Sequence, residues 1–282
     1  MVGPLPKAGE RIAGRYFVVG KLAAGGMGLV LAARDEEDGG RPVALKLLHP
    51  ELAGDPEMQR RFRREAAVLR ALEHPSVVRI LDVGHDERDR LFTVMELLEG
   101  ETLLQRLERR GRLELEETVA IARELGAALD AVHAHGVMHG DLKPANVFLL
   151  EGEGHTQVKL VDFGTSKVHG LERLTRTGEL VGTPTFMAPE LLTGDGALDT
   201  RLDVYAFGVL LYEAFAGAPP FTERHPGKLL FQIVMGQGVP LARHRPDLSP
   251  AVLDAVAKAM APKKDDRFRT AGEVVAALLA AT

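Results

Sequence analysis

The chain contains no cysteine, which excludes disulfides and thiolate metal centres. It has no surplus of positive charge either. Its 35 lysines and arginines face 40 aspartates and glutamates, a net charge of −5, so no overall basic field points to nucleic acid or anionic lipid. No apolar run approaches the ~18 residues of a membrane span. The opening Met1-Val2-Gly3-Pro4 lacks the apolar core of a secretory signal. Repeats and low-complexity blocks are also missing. What remains is 282 residues with 45% hydrophobic and 27% charged side chains. That is ordinary globular composition, long enough for a substantial core in one large domain or two small ones. These absences set the expectation of a cytoplasmic globular protein with no membrane segment in this chain.

The N-terminal third reads as strands with one helix. The runs 16–23, 29–34 and 42–48 are β-branched or apolar, separated by glycines and the charged turn Asp38-Gly39-Gly40. Asp55 as N-cap and Pro56 at the first helical position open a helix reaching about Leu72. Strands are expected over 77–83 and 91–96. From Thr102 onward the periodicity is helical, over 115–135, 199–216, 228–236, 250–261 and 271–280. The expected fold class is α+β and bilobal: a tail over 1–12, a small β-rich lobe with one main helix over 13–98, and a larger helical lobe over 99–282. The seam falls near 96–100, and ligand pockets favour such seams.

The chemistry concentrates in His139-Gly140-Asp141-Leu142-Lys143-Pro144-Ala145-Asn146, followed sixteen residues after the asparagine by Asp162-Phe163-Gly164. A carboxylate, a lysine two residues on, an amide three further and a second carboxylate are equipment for moving a phosphoryl group. Asp141 can accept a hydroxyl proton and Lys143 can balance charge on the transferred phosphate. Asn146 and Asp162 offer the oxygen ligands that Mg²⁺ requires. Upstream, Leu22-Ala23-Ala24-Gly25-Gly26-Met27-Gly28-Leu29-Val30 is a glycine-rich stretch between two strands, where backbone can approach phosphates closely. Val43-Ala44-Leu45-Lys46 puts a lysine on the next strand, on the same side as Ala44. Beside apolar neighbours that ammonium needs an anion.

Taken in order, these segments resemble the protein kinases of the Ser/Thr type, most closely the bacterial ones, from about Tyr16 to about Leu279. Ala188-Pro189-Glu190 resembles the end of the kinase activation segment, and Asp203-Val204-Tyr205-Ala206-Phe207-Gly208 the helix that supports the catalytic loop. The resemblance implies ATP and Mg²⁺ (or Mn²⁺) as cofactors and protein Ser/Thr hydroxyls as acceptors, with autophosphorylation and a dimer that would serve it. It implies that Asp141 is the catalytic base, aided by Lys143, and that Asn146 and Asp162 are the metal ligands. Lys46 would hold the nucleotide phosphates, paired with Glu65 on the following helix. Leu22, Gly25 and Gly28 would cover the nucleotide. Val30, Ala44, Met95 and Phe148 would wall the adenine, whose edge would meet the backbones of Glu96 and Leu98. By the same resemblance Lys143 and Thr183 mark the Ser/Thr class, and Glu190 pairs with Arg267. His139 would be a packing residue stacked with Phe163, Leu69 and Ile80. Other histidines, His74 and His133 among them, show no metal-ligand spacing and read as packing or surface residues.

Two positions depart from the family. Ala23 replaces its first loop glycine, and Gly140 replaces the arginine that receives a phosphate on the activation segment. Arg61 and Lys167 remain at secondary phosphate-holding positions, and Thr175 and Thr177 are the candidate phosphorylation sites. Arg60, Arg61, Arg63 and Arg64 read equally as a solvated helix face or a docking patch. Two rival readings follow. Small-molecule phosphotransferases acting on aminoglycosides or choline often read His-Gly-Asp, but lack the segment from Gly182-Thr183-Pro184 to Glu190. An ATP-binding pseudokinase scaffold would lose one of Lys46, Glu65, Asp141, Asn146 or Asp162, and all five are present.

Overall fold

The computed structural model describes residues 6–25, 28–48, 56–151, 156–163, 184–194 and 197–282. The chain divides into two compact units, Met1–Glu73 with Val78–Glu99, and His74–Val77 with Gly100–Thr282.

The first unit is built on six strands: β1 (Arg11–Ile12), β2 (Tyr16–Gly25), β3 (Gly28–Asp35), β4 (Arg41–Leu48), β5 (Ile80–His85) and β6 (Leu91–Glu96). They form one antiparallel sheet in the order β1-β2-β3-β4-β6-β5. Side chains alternate across a strand, and the alternation sorts this sheet into two faces. Leu29, Leu31, Val43, Leu45, Leu47, Phe92 and Val94 join Ile12, Tyr16 and Val18 in the core. Val30, Ala44, Lys46 and Met95 fall on the opposite face, because Val30 pairs with Lys46 and Ala44 with Met95. Tyr16 meets Phe92 edge-on with centroids 5.6 Å apart, and its hydroxyl donates to Asp82 at 2.6 Å. Among the described residues of this unit, the helix α1 (Pro56–Ala71) buries Ala66 and Leu69.

The expected strand over 77–83 starts three residues late, at Ile80. Val77 instead makes a parallel bridge with Leu160, and the Leu160 N–H donates to the Ser76 carbonyl at 2.9 Å. The Ser76 hydroxyl donates to Glu124 at 3.3 Å. Those bonds assign His74–Val77 to the second unit, and local β-propensity could not foresee them.

The second unit contains α2 (Leu103–Arg110), α3 (Leu115–Ala134), α4 (Pro189–Thr193), α5 (Arg201–Ala216), α6 (Pro226–Met235), α7 (Pro250–Ala259) and α8 (Ala271–Ala280). Starts are capped as their sequences dictate: Thr102 and Gln105 make a capping box on α2, and Ser249 and Thr270 cap α7 and α8. Helix α5 is buried almost all round, including Val204, Phe207, Leu210 and Leu211, as expected of a central core helix. The unit also holds a small sheet absent from the sequence reading: β7 (Glu101–Thr102), β8 (Val147–Glu151) and β9 (Thr156–Leu160) in the order β7-β8-β9. Two of its strands follow the Asp141 segment and lead into Asp162. Among the described residues no helix is long and apolar enough to cross a membrane.

Candidate active site

In the second unit, the chain after α3 carries Asp141, Lys143 and Asn146, and their side chains converge. Lys143 Nζ donates to Asp141 Oδ2 at 2.9 Å. Asn146 Nδ2 donates to the Asp141 carbonyl at 2.8 Å and to its Oδ2 at 3.1 Å. A short 3₁₀ turn, Pro144–Asn146, makes this possible by folding Asn146 back towards Asp141, with its N–H on the Lys143 carbonyl at 2.9 Å. Because the Asn146 amide nitrogen is committed to Asp141, Oδ1 is the atom it can offer a hard cation. The Asn146 carbonyl accepts the Val161 N–H at 3.0 Å, which ties this turn to the residue before Asp162. Asp162 itself lies in the left-handed region at φ 62°. A β-like or helical φ is cheaper for aspartate, so this is backbone strain of the kind that clusters at functional positions. Among the described residues no group of three or more His, Cys, Asp or Glu gathers as a metal cage. Asn146 and Asp162 could instead offer an amide and a carboxylate oxygen, a donor set that would fit Mg²⁺ bound partly through substrate phosphates.

His139 is fully buried and its two nitrogens have different jobs. Nε2 faces the Val161 carbonyl at 3.0 Å and Nδ1 accepts the Asp141 N–H at 3.2 Å. One neutral tautomer satisfies both, and burial lowers the pKa of the ring. Its ring lies 4.8 Å from that of Phe163, tilted by 48°. His139 is therefore a fully buried ring held between the Val161 carbonyl and the Asp141 N–H. Below it, Asp203 of α5 is completely buried. Its carboxylate accepts the backbone N–H groups of His139 at 2.7 Å and Gly140 at 2.8 Å. His133, at the end of α3, adds Nε2 to Asp203 Oδ2 at 2.8 Å. The sequence reading placed His133 as a packing or surface residue, and the structure packs it against Asp203 with 9% of its side chain exposed. Its partner is 70 positions away, with no local signal linking the two. Gly140 adopts φ 72°, a conformation glycine takes without the penalty other residues pay.

Phe148 stands on β8 between Val147 and Leu149, which are both fully buried, and it points to the other face, part-exposed. The remaining pair in this unit is Glu190 with Arg267. The guanidinium bonds the carboxylate through two nitrogens, at 2.8 and 2.7 Å. It also donates to the carbonyls of Ala261, Arg201 and Pro262.

In the first unit, Lys46 sits part-buried in the middle of β4, opposite Val30 on one side and Thr93 on the other. Glu65 lies part-buried on α1. Gly25 and Gly28 pair across the β2–β3 hairpin. Ala23 pairs with Val30 just after a register irregularity between Lys21 and Ala23, so this position lies outside the Gly25–Gly28 turn. Leu22 is exposed. Met95 is buried beside Ala44, Glu96 ends β6 with its N–H on the Arg79 carbonyl at 3.1 Å, and Leu98 follows it part-buried.

Residues 16–277 match the protein kinase domain family. The chain belongs to that family. This kinase domain is 37% identical over 273 residues to the serine/threonine-protein kinase pkn2 of Myxococcus xanthus, covering 95% of this chain and 32% of pkn2. It is 36% identical to the serine/threonine-protein kinase PknA of Mycobacterium tuberculosis, covering 98% of this chain and 63% of PknA. It therefore spans between about a third and just under two thirds of these relatives. Among solved structures, a double mutant of the Mycobacterium tuberculosis PknI kinase domain superposes with a TM-score of 0.80 at 32% identity, covering 98% of this chain and 99% of that one. The fold is the protein-kinase fold.

Several positions singled out in the sequence of this kinase domain lie outside the described residues: Gly26, Met27, Gly164, Lys167, Thr175, Thr177, Gly182 and Thr183, with the side chain of Arg61. Of those described, the second unit brings Asp141, Lys143 and Asn146 into direct contact. The bond of His133 to Asp203 and the positive φ of Asp162 were missed. Nothing in the sequence announces a backbone dihedral.

Proposed function

We propose that this kinase domain transfers the γ-phosphoryl group of ATP to serine or threonine hydroxyls of proteins, with Mg²⁺ or Mn²⁺. The observation that carries the reading is the contact set on Asp141. A carboxylate that holds Lys143 at 2.9 Å and Asn146 at 3.1 Å through the same oxygen is fixed in orientation, as a residue that positions an attacking hydroxyl must be. In this reading the hydroxyl oxygen bonds to the γ-phosphorus as the bond to the bridging oxygen breaks, and Asp141 takes the proton. Lys143 offsets charge on the transferred group. Asn146 Oδ1 and the Asp162 carboxylate would hold the metal ion, which when bound neutralises phosphate charge. Lys46, paired with Glu65, would bind the nucleotide phosphates. Leu22, Gly25, Gly28, Val30, Ala44, Met95, Phe148 and the backbones of Glu96 and Leu98 would receive the rest of the nucleotide. The relatives support the Ser/Thr class, being named serine/threonine-protein kinases. Autophosphorylation between two copies and a cytoplasmic location belong to the same proposal.

The test is incubation with labelled ATP and Mg²⁺, then phosphosite mapping on the protein and on a peptide library. Label is expected on serine or threonine, and Asp141→Asn should slow transfer about a thousandfold or more, roughly 4 kcal/mol of barrier. Turnover of the Asn variant within tenfold of the parent would remove Asp141 from its role. ATP binding without any transfer would favour a scaffold. Label on an aminoglycoside or choline but not on protein would favour a small-molecule phosphotransferase.

A further inference from the structure

The second unit contains a cavity of about 450 Å³ between α5, the bend after α6 and α7. Its walls include Tyr212, Phe221, Val239, Leu241, Leu253 and Met260. Tyr212 stands nine residues after Asp203 on α5, on the order of 13 Å along the helix axis, and phosphoryl transfer uses none of these residues. The volume suits a small molecule, and sites for such ligands are mostly apolar with a few polar groups that fix orientation. Bonds of its own hold the wall after α6. Gly236 takes φ 64°, the Gln237 N–H donates to the Gln232 carbonyl at 2.8 Å, and the Val239 N–H to the Pro220 carbonyl at 2.9 Å. The cavity is therefore formed before any ligand arrives. Two polar groups beside it have no partner. Tyr212 is 2% exposed, and its hydroxyl is buried without a hydrogen bond, although buried hydroxyls are nearly always bonded. Burial alone pushes that hydroxyl up to about 12. Asp254 of α7 also lines the cavity and is exposed. Its natural partner is Lys258, one helical turn on, but that ammonium lies 4.4 Å over the Phe268 ring instead. Among the described residues Asp254 pairs with no cation.

We propose that this cavity binds a small apolar molecule carrying one protonated amine, with its body between α5 and α7 and its ammonium on Asp254. A hydrogen-bonding group on the body would meet the Tyr212 hydroxyl, which can donate or accept. A carboxylate on the same body would face the charge of Asp254, so the site discriminates by charge as well as by shape. The inference is independent of the kinase reading, because no lining residue takes part in that chemistry.

The experiment titrates the intact chain with two amines, tryptamine and decylamine, and with the matching carboxylates indole-3-propionate and decanoate, following backbone amides by NMR. At least one amine is expected to shift the amides of Leu241 and Leu253 and to bind about tenfold more tightly than its carboxylate, the contrast a charge-assisted bond supplies. Asp254→Asn should remove that contrast. Tyr212→Phe should weaken tryptamine about threefold, since the indole N–H loses its acceptor, and leave decylamine unchanged. Ala257→Phe places a ring at an exposed position on the cavity wall and should block both amines. Urea midpoints confirm that each variant folds, and Tyr212→Phe, which loses only an unbonded hydroxyl, should be at least as stable as the parent. Failure of both amines to shift these amides at millimolar concentration would overturn the inference. Equal affinity for amine and carboxylate would do the same, because it would mark apolar partitioning only. So would a folded Ala257→Phe variant that binds the amines as the parent does.

Discussion

A Cβ on Gly28 would lie 2.0 Å from the Leu47 carbonyl oxygen and 3.1 Å from the Leu48 Cα. Both are backbone atoms of the neighbouring strand, so no rotamer change relieves the clash. The sequence suggested that this glycine lets phosphate come close, and the structure supplies an additional reason, the approach of β4. Gly28→Ala is therefore expected to destabilise the protein by about 1–3 kcal/mol, the usual cost of overpacking, even without nucleotide. Urea unfolding of the ligand-free protein checks this, and an unchanged midpoint would contradict it. Gly140 differs. That it stands where an arginine would be expected came from the family resemblance. That its φ of 72° suits glycine, and that its N–H is held by Asp203, is visible only in three dimensions.

Between elements, the ion pair of Glu190 with Arg267 ties the start of α4 to the segment between α7 and α8. The Arg267 guanidinium also lies 4.9 Å from the ring centre of Tyr205 on α5. Arg267 is 4% exposed and Glu190 8%, so removing one partner leaves a charge that water cannot reach. Arg267→Met should cost about 3–5 kcal/mol, and adding Glu190→Gln should recover part of it, because the pair itself balances attraction against desolvation. A denaturant series on the two variants decides the matter. Equal stability of single and double variants would show that the loss comes from the carbonyl contacts of Arg267 and not from a stranded carboxylate. Family resemblance alone suggested this pair. Its three additional carbonyl partners are Arg201 at the start of α5 and Ala261 and Pro262 after α7, and they meet because those helices pack together.

For the molecule as a whole, acid should be destabilising, and the signs can be assigned group by group. His139 and His74 have pKa values lowered by burial, and Lys159 adds to the effect at His74. Groups depressed on folding contribute stability above their unfolded pKa, near 6.5 for histidine, and lose it as pH falls through the lower folded value. Asp203 acts in the same sense below about pH 4. Burial alone would raise its pKa, but the hydrogen bond from His133 and the N–H of Gly140 more than offset that. Glu213 opposes them, because burial raises its pKa and protonation relieves the cost. In a Glu213→Gln background the urea midpoint is therefore expected to fall steadily from pH 7.5 to 5.5. A flat or rising midpoint would refute the assignment.

By itself the sequence determined the fold class, the order of the segments and the residues that meet at Asp141. Glycine pairs, a proline at a helix start, alternating strands and the Asp-x-Lys-x-x-Asn spacing act over a few residues, where chain geometry leaves little choice. The short turn that returns Asn146 to Asp141 is an example, since three residues and one proline suffice to make it. Tertiary structure decided the rest. It moved Val77 from the expected strand to a bridge with Leu160, paired β7 with β8 across 46 positions, and turned His133 from a helix-end histidine into the partner of Asp203. Each of these depends on a hydrogen-bonding group that is buried and must find a partner. Which partner it finds is set by packing between segments far apart in the chain, and no local pattern records that choice.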